Sequence, residues 1–177
     1  VAPLLLIGTR DPDGSPDLAP KHMAIPLGWD NYFAFVCAPS HATYRNIART
    51  GEFSVSYPRP ADVLNTSLVA APRCDDTKPA VGILETFDAR EIDCVFAANS
   101  YCYLECRHLQ TIDGFGKNSL IIGEIVAAHV DRKALRSTDR DDAELMMEAP
   151  QLAYLYPGRF AVIDKTQAFP FPQGMRR

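Results

Sequence analysis

The sequence predicts a mainly β fold with flanking helices, arranged as an antiparallel Greek-key barrel, and three observations carry that expectation. Short runs rich in Val, Ile, Phe and Tyr recur along the chain, Pro and Gly turn signals separate them, and few stretches between them are long enough for a helix. The regular alternation of strand and helix that marks a doubly wound parallel sheet does not occur. At 177 residues, the chain suits one domain spanning 1–177, with about 70% of its unfolded surface available for burial.

Residues 4–9 form an apolar run that ends at Arg10-Asp11-Pro12-Asp13-Gly14. Pro fixes φ there and Asp-Gly permits a tight reversal, which predicts a hairpin. The returning strand is expected over 17–25 as an interior strand, leading through Pro26-Leu27-Gly28 into a buried strand at 32–37. Residues 40–51 predict a short helix, capped by Ser40 in front and Gly51 behind, with Tyr44, Ile47 and Ala48 against the sheet and Arg45 and Arg49 in water. Residues 53–57 alternate as a fourth strand. Val63, Leu64 and Leu68 then recur at helical spacing behind Pro60, which predicts a second helix over 60–70. Between 72 and 100 the one expected element is a short helix around 81–86. Residues 101–109 and 119–130 read as two long strands around a loop holding Asp113-Gly114-Phe115-Gly116-Lys117. A helix over 140–149, with Leu145 and Met146 inward, and a last strand over 159–164 complete the chain before a Pro-punctuated tail.

A net charge of -4 and a pI near 5.5 argue against a nucleic-acid surface, which needs clustered Lys and Arg; Arg176 and Arg177 alone form no such patch. The apolar opening at residues 1–7 is far short of a bilayer span and carries no basic leader, so neither a membrane span nor a targeting segment is expected. Cys37, Cys74, Cys94, Cys102 and Cys106 are odd in number and lack CxxC spacing, which reads as reduced thiols of a cytoplasmic protein. Cys102 and Cys106 share a strand face, as small apolar residues do.

Two places could hold chemistry. The strand ending at Ala38-Pro39 feeds straight into a helix start, where free N–H groups and the positive end of the helix dipole favour an anion such as a phosphate. Ser40, His41 and Thr43 add side-chain donors there, and Asn46 is spaced to face the same ligand. The second place is Leu18-Ala19-Pro20-Lys21-His22-Met23. Proline removes a ladder donor and leaves neighbouring backbone free for a ligand ring, and Lys21 and His22 fall on opposite faces. The same residues also fit a serine that only caps its helix, a solvated lysine and a packed histidine. Other motifs carry no chemistry: Gly114-Phe115-Gly116 lacks the third glycine of a dinucleotide fingerprint. His108 and His129 have no carboxylates at ligand spacing, so no metal site is expected, and Glu105 and Glu124 read as ordinary strand-face carboxylates.

Taken in order, Thr9-Arg10-Asp11-Pro12-Asp13-Gly14, Asp17-Leu18-Ala19-Pro20, Ser40-His41-Ala42-Thr43-Tyr44-Arg45-Asn46-Ile47 and Thr50-Gly51-Glu52-Phe53 resemble the flavin reductase-like, flavoredoxin-type FMN-binding family. Leu104-Glu105-Cys106 and Gly123-Glu124-Ile125-Val126 are similar to that family's later strands, and the likeness covers about residues 3–165. It implies an FMN-binding split β-barrel, commonly a homodimer, with the flavin phosphate near Ser40, His41, Thr43 and Asn46. The flavin ring would then lie along Ala19, Pro20, Lys21, His22 and Met23. The activity implied is hydride transfer from NAD(P)H to bound FMN, with Lys21 or His22 placing positive charge near the ring and no metal taking part; the alternative is a non-enzymatic FMN-binding electron-transfer protein. The chain departs from the family pattern at Lys21-His22-Met23, where relatives carry a small hydroxyl residue, and Asp76 and Lys78 stand in a similarly charged stretch.

Overall fold

Leu5, Leu6 and Ile7 are all fully buried, and the sheet is built around that fact. The computed structural model of the chain describes residues 1–174 apart from 76 and 138, so Asp76, Arg176 and Arg177 lie outside the described residues. Its elements in order are β1 (Ala2–Pro3), β2 (Leu5–Arg10), β3 (Pro16–Lys21), β4 (Ala24–Leu27), β5 (Tyr32–Cys37), α1 (Ala42–Thr50), β6 (Glu52–Pro58), α2 (Val63–Leu68), β7 (Thr86–Asp88) and β8 (Val95–Ala97). Two long strands follow, β9 (Ser100–Phe115) and β10 (Asn118–Val130), then α3 (Asp142–Glu148), β11 (Gln151–Leu155) and β12 (Arg159–Ile163).

The main sheet has the order β3-β2-β6-β9-β10-β5-β4 and is antiparallel throughout. Its two edge strands, β3 and β4, are consecutive in the chain and joined only by His22 and Met23. The sheet therefore curls into a barrel that stays split along that seam. Inside lie Leu5, Ile7, Phe33, Phe35, Phe53 and Val55, closed at one end by Ile47 of α1. Leu6 points the other way, onto Leu18, Val69, Val81 and Val95. Burial on both faces is why the opening run shows no polar alternation. A side chain at Gly8 would meet the Val95 carbonyl oxygen at 2.1 Å and Ser54 Oγ at 2.3 Å, so only glycine lets the β7–β8 hairpin seat on β2. A smaller sheet, β1-β11-β12, packs the C-terminal strands beside the barrel.

The expected hairpin at 10–14 forms, with Gly14 at φ 83° and the Asp11 N–H donating to the Ser15 carbonyl at 2.9 Å. Gly51 ends α1 in the left-handed conformation, its N–H on the Ile47 carbonyl. Several expectations are corrected. The strand placed at 17–25 is two strands, and β3 is an edge, not an interior strand; this is where Pro20, with no N–H to give, is tolerated. The face that α1 buries is Thr43, Asn46 and Ile47, while Ala48 is exposed, because the layer beneath it is partly polar. The helix expected over 60–70 forms as a 3-10 turn at Pro60–Asp62 followed by α2, with Leu64 and Leu68 exposed and Thr66 and Val69 buried. The helix expected at 81–86 is replaced by a 3-10 turn at Pro79–Ile83 and by β7, whose pairing with β8 claims Thr86. The loop expected at 113–117 shrinks to Gly116 and Lys117, since β9 stays paired with β10 to Phe115.

Candidate functional site

β3 and the start of α1 face each other across a cleft of about 440 Å³. The strand contributes Ala19, Pro20 and Lys21, the helix start contributes Ser40, His41 and Thr43, and Arg73 and Lys78 come from the segment after α2. The residue capping α1 is His41, not Ser40, and its side chain makes no capping hydrogen bond. Among the described residues the amides of Ala42 and Thr43 thus have no intrahelical partner, whereas the Tyr44 N–H is directed at Cys37 Sγ, and the two open amides sit at the positive end of a nine-residue helix. Edge position does the same for β3: the Leu18 carbonyl points away from β2 and accepts from Lys78 Nζ at 2.7 Å, and strand alternation puts the Pro20 carbonyl on that same open side.

Beneath the cleft lies a buried polar layer. Asp17, 1% exposed, accepts from Thr43 Oγ1 at 3.3 Å and Thr9 Oγ1 at 3.5 Å, and forms ion pairs with Arg73 at 3.3 Å and Lys78 at 3.5 Å. Arg73 also pairs with Asp11. Above it the charge is positive: Lys21 Nζ lies 3.5 Å from His41 Nδ1, and Arg45 donates to the Ser40 carbonyl. Burial, then the charges of Lys21, Lys78 and Arg45, hold the His41 pKa below its ordinary 6.5. Burial likewise lowers Lys78, against the pull of Asp17. A cluster of cations that depress one another in this way is stabilised by an incoming anion.

Ala19, Pro20, Lys21, Ser40, His41 and Thr43 therefore meet around one cavity, while the other three candidates stand elsewhere. Asn46 is turned beneath the helix, its Nδ2 donating to Thr9 Oγ1 at 3.1 Å and Asp11 Oδ1 at 2.9 Å. Met23 is 51% exposed at the seam. His22 is on the opposite face from Lys21, its ring 4.3 Å from that of Tyr154, in an adjoining apolar groove of about 360 Å³ that shares Pro20 and Ala70 with the cleft. Sequence reasoning missed Asp17, Thr9, Asp11 and Arg73; the one available signal was an acidic residue, Asp17, inside an otherwise apolar strand.

Glu105 and Glu124 do not form a pair. Glu124 accepts from Asn31, whereas Glu105 is fully buried and accepts from the Arg90 and Glu91 N–H groups and from His129 Nε2 at 2.7 Å. The strand-face reading of Glu105 is thus overturned, and His129 is a packed histidine with Glu105 as its partner. Burial opposes the charge on Glu105, but the His129 and backbone hydrogen bonds outweigh it and hold its pKa below 4.5. This pair pins the β7–β8 hairpin region to β9 and β10, far from the cleft in function. Among the described residues no group of metal-ligating side chains is assembled, and no helix is long and apolar enough to cross a membrane.

Comparison with known proteins agrees with this architecture. The family whose model matches is described as the flavin reductase like domain, over residues 1–160. Solved structures with the same fold include 2-nitrobenzoate 2-nitroreductase of Pseudomonas fluorescens, 17% identical with a TM-score of 0.82 over 99% of this chain and 87% of that one. Flavoredoxin of Desulfovibrio vulgaris is 22% identical, with a TM-score of 0.81 over 98% of this chain and 93% of its own. An FMN-binding protein from Thermus thermophilus is 17% identical, with a TM-score of 0.78 over 94% and 89%.

Proposed function

The chain belongs to the flavin reductase-like family, and from that premise we propose that it is an oxidoreductase that binds FMN between β3 and α1 and passes hydride to it from NAD(P)H. The observation that carries the reading is the uncapped start of α1, opening on a cleft rimmed by Lys21, His41, Arg45 and Lys78. That is a seat for one phosphate group, and a cleft of about 440 Å³ falls in the range of small-molecule sites.

In this reading the amides of residues 42 and 43 and the Ser40 hydroxyl would hold the phosphate, the Tyr44 amide being directed at Cys37 Sγ. Thr43 contributes its amide only, because its hydroxyl proton is committed to Asp17. The open backbone of β3 at Pro20 would bind the polar edge of the ring, and the apolar groove beside His22 and Tyr154 would exclude water. The bound flavin supplies the hydride chemistry. Of the two candidates, Lys21 would supply positive charge to the reduced ring, because burial and then the charge of Lys21 hold the His22 pKa below its ordinary 6.5 in the adjoining apolar groove.

The test is stopped-flow mixing of the FMN-loaded protein with NADH and with NADPH. Rapid bleaching of flavin absorbance supports the reductase. A yellow protein that does not bleach is a non-enzymatic FMN-binding electron-transfer module, and a colourless one that takes up no added FMN ends the flavin reading. We also propose a homodimer, on the family resemblance and on the exposure of Trp29, Leu109 and Phe115; a monomer mass by light scattering would remove it.

A further inference from the structure

A second groove, of about 430 Å³, runs along the outer side of α1 and opens into the first, with Ala42, Arg45 and Arg73 lining both. Arg49 forms its far wall, opposite Pro12 and Asp13 of the β2–β3 turn. Arg45 and Arg49 are four residues apart on α1, so they share a face with about 6 Å of helical rise between them. Among the described residues neither has a carboxylate partner. Arg45 donates to the Ser40 carbonyl and Arg49 to the Arg10 carbonyl, each at 2.5 Å, which leaves most of the N–H donors of each guanidinium unused. The two carboxylates of the groove are already engaged: Asp11 with Arg73 and Asn46, and Asp13 Oδ1 with both the N–H and the hydroxyl of Ser15. With Asp17, which pairs with Arg73 and Lys78, included, the four cations Arg45, Arg49, Arg73 and Lys78 face the three carboxylates Asp11, Asp13 and Asp17, a local surplus of one positive charge in a chain of net charge -4.

The position of this surplus relative to the phosphate seat selects the ligand. A molecule that leaves one phosphate at the start of α1 and continues past Arg45 carries its second phosphate into the reach of Arg49. We propose that the outer groove receives the adenylyl half of a flavin dinucleotide, with the second phosphate between Arg45 and Arg49 and the adenosine toward Pro12, so that the site takes FAD in preference to FMN. The proposal rests on the flavin reading above and refines it.

Fluorescence titration of the full-length flavin-free protein with FMN and with FAD tests it. Wild type is expected to bind FAD at least fivefold more tightly than FMN. Arg49→Ala removes most of that advantage and leaves FMN affinity within twofold, and Arg49→Lys, which keeps the charge, retains part of it. Arg49→Gln, measured alongside with its far-UV circular dichroism, guards against a folding defect in the alanine variant. Equal affinities for the two flavins in wild type, or equal losses for both in a folded Arg49 variant, overturn the proposal and leave the FMN reading standing. A KM for NADPH that rises in Arg49→Ala while both flavins bind unchanged assigns the groove to the nicotinamide dinucleotide and also overturns it. Failure of either flavin to bind wild type refutes the flavin reading itself.

Discussion

Replacing Asp17 by Asn separates the structural from the ligand-binding role of the polar layer under the cleft. The Asp17 side chain is 2% exposed and pairs with two cations, Lys78 at 10% exposure and Arg73 at 21%. Removing one partner of a buried ion pair typically costs about 3–5 kcal/mol, because the other charge is left without compensation. Arg73 is partly wet and keeps Asp11 as a second partner, so the loss falls to roughly 2–4 kcal/mol once solvent screening is allowed for. With a urea m-value of about 2 kcal/mol per M, the unfolding midpoint drops by about 1–2 M. The assay is urea unfolding followed by circular dichroism, with the m-value held as the control on two-state behaviour. Ligand affinity moves the other way: the charge removed is negative and lies beneath the phosphate seat, so FMN affinity of the folded variant does not fall. A midpoint within about 0.3 M of wild type would refute the claim that Asp17 neutralises buried cations, and a loss of FMN affinity in a folded variant would refute its placement under the phosphate.

Gly8→Ala forces the Val95 carbonyl and Ser54 off β2; we expect a loss of about 1–3 kcal/mol and early proteolysis within residues 86–97, and a thermal midpoint equal to wild type would contradict the close approach. Glu105 has a folded pKa below its ordinary 4.5, so its stabilising contribution is complete above about pH 4.5 and is lost as pH falls through the lower folded value. Glu105→Gln accordingly destabilises by about 1–3 kcal/mol at pH 7 and flattens the acid limb of a stability profile, whereas an acid limb parallel to that of wild type would show that Glu105 does not titrate there. Lys21→Ala weakens the reduced flavin more than the oxidised form and lowers the two-electron midpoint potential by roughly 30 mV, equivalent to about 1.4 kcal/mol; an unchanged potential confines Lys21 to the phosphate end beside His41.

How much of this was legible in the sequence depends on whether a signal was local. Pro12-Asp13-Gly14 and Gly51 act through their own φ angles, and both appear where the sequence places them. The alternation of 53–57 and the long runs of β9 and β10 were readable for the same reason, since side-chain period is a property of one strand. Leu64 and Leu68 announced the helix at 60–70 by their spacing, but helical spacing defines a stripe and not which neighbour covers it, and here the stripe faces outward. Glu105 misled because its partners, the 90–91 backbone and His129, arrive from residues 14 to 24 positions away.

Composition, turn chemistry and strand period in the chain alone were enough to determine an antiparallel, mainly β fold and a helix start between Ala38 and Tyr44. Only the tertiary structure decided that β3 is an edge, that Asp17 lies buried beneath that helix start, and that Arg73 and Lys78 reach it from the far side of α2. The reason is physical: a dihedral preference acts over a few neighbouring residues, whereas the field at that helix start is a sum over charges that are close in space and tens of residues apart in the chain.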